Sequence, residues 1–160
     1  MSKSLGAQLN EDLLQKLEGG RLFREGGLGL AVLTVDETGW PHVALAPGAV
    51  AVRPERLVVA LGGASRSLRY AEREGKVTLL VAGPDTLYYV KGQVQVLRRQ
   101  MNVIPQEAAM LVRITEVLSD MESFVTITGG ISYRYGVMHE DYIKVIGALL
   151  DELETLAEEN

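Results

Sequence analysis

A series of short apolar runs, each closed by a turn signal, most constrains what this chain can fold into. Residues 30–35 (Leu-Ala-Val-Leu-Thr-Val) stop at Asp36-Glu37-Thr38-Gly39, and the chain returns from Trp40 to Ala46 as the second arm of a hairpin. A run at 57–61 follows the turn Arg53-Pro54-Glu55, and another at 77–82 ends at Gly83-Pro84-Asp85. Tyr88, Val90, Val94 and Val96 then alternate with Lys91, Gln93 and Gln95, the period of a half-buried strand. Within 108–118, Met110, Val112 and Ile114 share one face. Phe124-Val125-Thr126-Ile127 and Ile131-Ser132-Tyr133 flank Gly129-Gly130 and predict a further hairpin.

Helical patterns are few. Asn10 is placed to cap a helix whose first turn carries Glu11 and Asp12 and whose apolar face is Leu13, Leu14 and Leu17, with Gly19-Gly20 as its stop. A short helix is expected over 65–75. The chain ends in a helix with Tyr142, Ile146, Leu149, Leu150, Leu153 and Leu156 at three- and four-residue spacing. That apolar face serves either to cover a barrel end or to meet a second copy. The strand–helix–strand order occurs once and does not recur, which disfavours a doubly wound sheet. The expected architecture is mainly β (α+β), a small antiparallel barrel with flanking N- and C-terminal helices, in a single domain over 1–160.

Composition narrows the partners. The net charge of −5 argues against general nucleic-acid binding. No apolar stretch approaches the ~20 residues that span a bilayer, and Met1 to Asn10 lacks a signal-peptide core. With no cysteine, disulfides and thiolate metal sites are excluded, and a cytoplasmic setting is expected. Charge is unevenly spread. Arg53, Arg56, Arg66, Arg69, Arg73 and Lys76 face only Glu55, Glu72 and Glu74 in the same segment, whereas five acids and no base follow from Asp151. An island of positive charge on an acidic chain points to a small anionic ligand.

Protein-borne catalysis finds no support. His42 and His139 lie far apart and at no metal-ligand spacing, so no metal site is expected. There is no G-x-S-x-G elbow and no P-loop after Gly62-Gly63. If the chain is an enzyme, a cofactor supplies the reactive group. The candidate binding site is Ser65-Arg66-Ser67-Leu68-Arg69. Backbone N–H groups, hydroxyls and two guanidiniums at a helix start make an anion site suited to a phosphate.

The order of elements carries a resemblance. A hairpin with Thr-Gly-Trp-Pro-His leads to the strand 57–61. Ser-Arg-Ser-Leu-Arg-Tyr-Ala-Glu-Arg-Glu-Gly-Lys-Val-Thr-Leu-Leu-Val follows, and then an alternating strand with Val-Lys-Gly-Gln-Val. This resembles the FMN-binding split barrel of the pyridoxamine 5′-phosphate oxidase-like superfamily, over roughly residues 29–96. The resemblance implies a split β-barrel, FMN as cofactor, a homodimer with flavin at the subunit interface, and oxidoreductase activity on a small molecule. It implies that Arg66, Ser67, Ser65 and Arg69 hold the FMN phosphate. It also implies that the backbone of residues 43–48 and 59–61, including Ala60 and Leu61, lies along the flavin. Three features depart from the oxidase proper. Residues 44–49 carry no charge where an Arg and a Lys are common, Leu87 stands where a Gln is common, and no Arg-x-His occurs near the end. Pyridoxamine phosphate oxidation is therefore not expected. The alternative is a non-catalytic split-barrel module that has lost FMN, or one that takes a deazaflavin, haem or another phosphorylated molecule.

Overall fold

The computed structural model describes residues 2–25, 29–133 and 139–160. Its strands are β1 (Lys3–Gly6), β2 (Leu30–Val35), β3 (Pro41–Ala46), β4 (Gly48–Arg53), β5 (Arg56–Gly62), β6 (Lys76–Gly83), β7 (Thr86–Arg98) and β8 (Glu107–Ser119). The helices are α1 (Glu11–Leu17), α2 (Arg21–Glu25), α3 (Arg66–Glu74) and α4 (His139–Glu159). The sheet runs β3-β2-β6-β7-β8-β5-β4, with β1 against the far end of β8. Every pairing is antiparallel.

The two ends of this path, β3 and β4, are consecutive in sequence and separated only by Pro47. The sheet therefore curls until its ends meet at that corner, a half-closed barrel with an opening beside β3. Alternation decides which residues fill it. On β6, Val77, Leu79 and Val81 are buried while Lys76, Thr78 and Leu80 lie outside. Tyr88 and Val90 of β7 and Met110 and Val112 of β8 join the interior as their spacing predicts. Adjacent Tyr89 faces out, where its hydroxyl meets Asp120 at 3.3 Å.

The C-terminal helix covers the barrel. Ile146, Leu149, Leu150 and Leu153 of α4 are buried, and the helix packs on β4 and β5. Gly48 makes this approach possible, since a Cβ there would lie 3.0 Å from a Leu150 methyl and 3.2 Å from one of Leu153. Glu152 anchors the same helix. It accepts the Asn102 and Val103 N–H groups at 2.9 and 3.0 Å and pairs with Arg98 at 2.6 Å. Burial alone would raise its carboxyl pKa, but these donors outweigh burial and hold it below the ordinary value.

The hairpin expected around Gly129-Gly130 is not formed. Residues 122–131 have no regular structure, and Ser132 makes only an isolated bridge. The segment is instead tied to existing backbone at single points, by Gly29 N–H to Ile131 O and Asp85 N–H to Ile127 O. Gly130 lies so close to Ala82 that a Cβ would collide with its carbonyl oxygen. Gly130 thus serves close approach rather than a two-residue turn. Strands β1 and β4 and helix α2 were not anticipated from the sequence.

Candidate functional site

Helix α3 starts where β5 leaves the barrel, after the turn Gly62-Gly63-Ala64. Gly63 donates to Gln106 O at 2.7 Å, and a Cβ on it would meet Arg99 O at 2.9 Å, so the turn presses against the loop before β8. Ser65 caps the helix. Its Oγ accepts the Leu68 N–H at 3.1 Å, and its own N–H donates to Gly62 O at 2.9 Å. Gly75 ends the helix in the left-handed region (φ 68°), its N–H bonded to Ala71 O at 2.8 Å. The amphipathic pattern turns Leu68, Tyr70 and Ala71 inward.

The expected phosphate residues divide by orientation. Arg66 and Arg69 project into solvent, and among the described residues neither has a carboxylate within ion-pair distance. The Ser65 hydroxyl accepts from within the helix, which leaves its hydrogen to donate outward. Ser67 is buried, 1% exposed; its N–H, like that of Arg66, belongs to the first turn, where helices leave donors unsatisfied. Two guanidiniums, two backbone N–H groups and one hydroxyl form a donor set without an acceptor. The set suits a dianionic phosphate. Ala60 and Leu61, both buried, stand just before the turn. Gly48↔Ala60 begins the β4 ladder, and Ala60 and Leu61 also pair with Ala109 and Ala108 of β8. Among the described residues strand β3 pairs only with β2, which leaves the other edge of its backbone open along residues 41–46.

Deeper along α3 the side chains satisfy one another. The His42 ring meets Tyr70 edge-on at 5.3 Å, which makes this histidine a packing group. Arg69 and Arg73 lie 5.8 and 5.3 Å from the Tyr70 ring centre. Arg73 also donates to Val35 O at 2.7 Å and pairs with Glu74 at 2.9 Å. Sequence reasoning missed Glu107, whose Cα partner across the ladder is Gly62. One of its carboxylate oxygens is buried without a partner, and burial raises its pKa. No motif marks it; its surroundings come from the loop folded over β8. No group of three His, Cys, Asp or Glu residues gathers for a metal among the described residues.

No family model matches the sequence, and no curated protein matches it. Solved structures do. A candidate pyridoxamine 5′-phosphate oxidase from Lactobacillus delbrueckii superposes with a TM-score of 0.56 at 21% identity, over 73% of this chain and 99% of that one. HupZ of Group A Streptococcus gives 0.50 at 12%, over 75% and 98%. A homologue of nitrilotriacetate monooxygenase component B from Mycobacterium thermoresistibile gives 0.50 at 13%, over 72% and 81%. The fold is thus the split barrel that the sequence resemblance implied. At these identities the likeness is one of fold, so function must be argued from the site. No helix among the described residues is long and apolar enough to cross a membrane.

Proposed function

We propose that this chain binds FMN and works as a flavin-dependent oxidoreductase on a small molecule. In this reading Arg66, Arg69, the Ser65 hydroxyl and the Arg66 and Ser67 N–H groups hold the phosphate. The observation that carries it is a capped helix start, at the opening of a split barrel, whose two exposed arginines have no carboxylate within ion-pair distance among the described residues. Ala60, Leu61 and the open edge of β3 border the flavin. When bound, the flavin supplies hydride or electron transfer. The chain's own part is to fix the phosphate, orient the ring and exclude water. Residues 44–49 offer no charge to share the phosphate, so the α3 start bears that task. The same absence favours the second reading, a non-catalytic barrel that takes a deazaflavin, haem or another phosphorylated molecule.

The proposal includes a homodimer. Val43 and Leu45 stand on the outer side of β3, 57% and 50% exposed, beside Trp40 at 71%. An apolar row on an open edge strand is suited to a second copy of the chain. Sedimentation should give twice the chain mass, reduced to one chain by Leu45→Glu. Purified protein should be yellow and release FMN on denaturation. Colourless protein that leaves added FMN fluorescence unquenched at micromolar concentration would reject the first reading in favour of the second.

A further inference from the structure

Among the described residues, the cations without a carboxylate partner are not scattered. Arg66 and Arg69 lie at the α3 start, Lys3 and Lys144 stand alone, and the other four form a line. Direct register partners across the sheet are Lys76↔Gln93, Gln93↔Arg113, Arg113↔Arg56 and Arg56↔Arg53. Residues directly opposite in an antiparallel ladder point to the same face. Lys76, Gln93, Arg113, Arg56 and Arg53 therefore form one transverse row over β6, β7, β8, β5 and β4. With strands about 4.8 Å apart, the row is roughly 19 Å long.

Like charges directly opposite destabilise a sheet. This chain has acids to spare, and it pairs Arg24 with Asp151, Lys91 with Glu116, Arg98 with Glu152 and Arg99 with Glu72. None is spent on the row. Arg113 donates only to the Gln95 side chain, at 3.0 Å. The Arg56 Nε is buried and has no hydrogen-bond partner. Where the row reaches Lys76 and Gln93 it borders a cleft of about 340 Å³ walled by Leu33, Val35 and Thr78. Glu74 on its rim is already paired with Arg73.

We infer that this row is a second anion site, separate from the α3 start, for a small molecule bearing a diphosphate. The three adjacent guanidiniums of Arg113, Arg56 and Arg53 receive the diphosphate, with bidentate geometry that suits phosphoryl oxygens. The cleft beyond Gln93 takes the apolar or heterocyclic body, as in a nucleoside diphosphate. The net charge of −5 opposes a long polyanion here.

The test uses protein carrying Arg66→Ala with Arg69→Ala, in which the α3 start has lost both guanidiniums and competes far less, titrated calorimetrically with inorganic pyrophosphate at low ionic strength. One pyrophosphate should bind per chain. Arg56→Gln with Arg113→Gln in that background should weaken it about tenfold or more, a loss of charge-assisted bonds. ADP should bind more tightly than pyrophosphate, because the cleft takes its base. If that double variant fails to fold by circular dichroism, Arg53→Gln with Lys76→Gln, both exposed, is read instead. Lys3→Gln with Lys144→Gln should change nothing. Absence of pyrophosphate binding, or affinity unchanged after the row is neutralised, overturns the inference. So does a single-stranded oligonucleotide that binds more tightly than ADP and is lost with the row.

Discussion

The two ends of α3 carry arginines in opposite circumstances. Arg73, near the C-terminus, lies where the helix dipole favours a cation and is held by Glu74, the Val35 carbonyl and the Tyr70 ring. Arg66, in the first turn, lies where the dipole disfavours it and has no carboxylate beside it. One end is finished by the fold, and the other is left open to solvent. The α4 side of the barrel belongs with the finished end: Glu152 closes three donors, and the leucines under it are buried. The difference separates what the fold needs from what a ligand needs. Changes near α4 should cost stability, and changes at the α3 start should cost binding.

The largest effect expected is at Leu150. Leu150→Ala opens a cavity against Gly48 and should cost about 2–5 kcal/mol in urea unfolding while leaving FMN affinity of the folded protein unchanged. A matching loss of affinity would erase the contrast. Glu152→Ala strands two N–H groups and the Arg98 guanidinium, and should cost about 2–3 kcal/mol by the same measurement. This stabilisation has a sign in pH. The folded carboxyl titrates below its unfolded value of about 4.3, so its contribution is complete above that value and is lost as pH falls through the folded pKa. The urea midpoint should therefore drop more steeply on acidification in the native chain than in Glu152→Ala.

Arg66→Ala tests the other end. It should weaken FMN by roughly 1.5–3 kcal/mol, about ten- to a hundredfold by fluorescence titration, with the melting temperature kept or raised. Unchanged affinity would place the phosphate elsewhere. Ser65→Ala bridges the two categories. It removes the Leu68 cap and should lower stability by about 1 kcal/mol, with a smaller loss of FMN affinity than Arg66→Ala.

What the sequence disclosed follows from how local each signal is. The alternation of β7, the Asn10 cap, the helix over 65–75 and the apolar stripe of α4 from Ile146 to Leu156 are written in neighbouring residues, and each appears where expected, whereas Tyr142 at the head of that stripe is exposed. Strand β4 was missed because Gly48, Ala49, Val50 and Ala51 are buried on both faces, between the barrel interior and α4, so no polar alternation marks it. The Gly129-Gly130 hairpin failed for the opposite reason. Its flanks have strand-like residues, but Phe124 and Val125 are exposed and, among the described residues, no strand lies alongside them. At the site, the Ser65–Arg69 pattern disclosed the helix start. The inward turn of Ser67, the isolation of Glu107 and the transverse row of cations depend on strand register, which only the folded sheet supplies.

Strand β8 has a consequence for how the molecule comes apart. Its residues bond to β7 along one edge and to β5 and then β1 along the other, drawing together near and distant parts of the chain, down to Lys3. The β2–β3 hairpin at one end of the sheet has no ladder with β8, so it can open while the centre stays shut. The amides of β8 are thus set to exchange with solvent only when the whole barrel opens, while those of β3 follow a local clock.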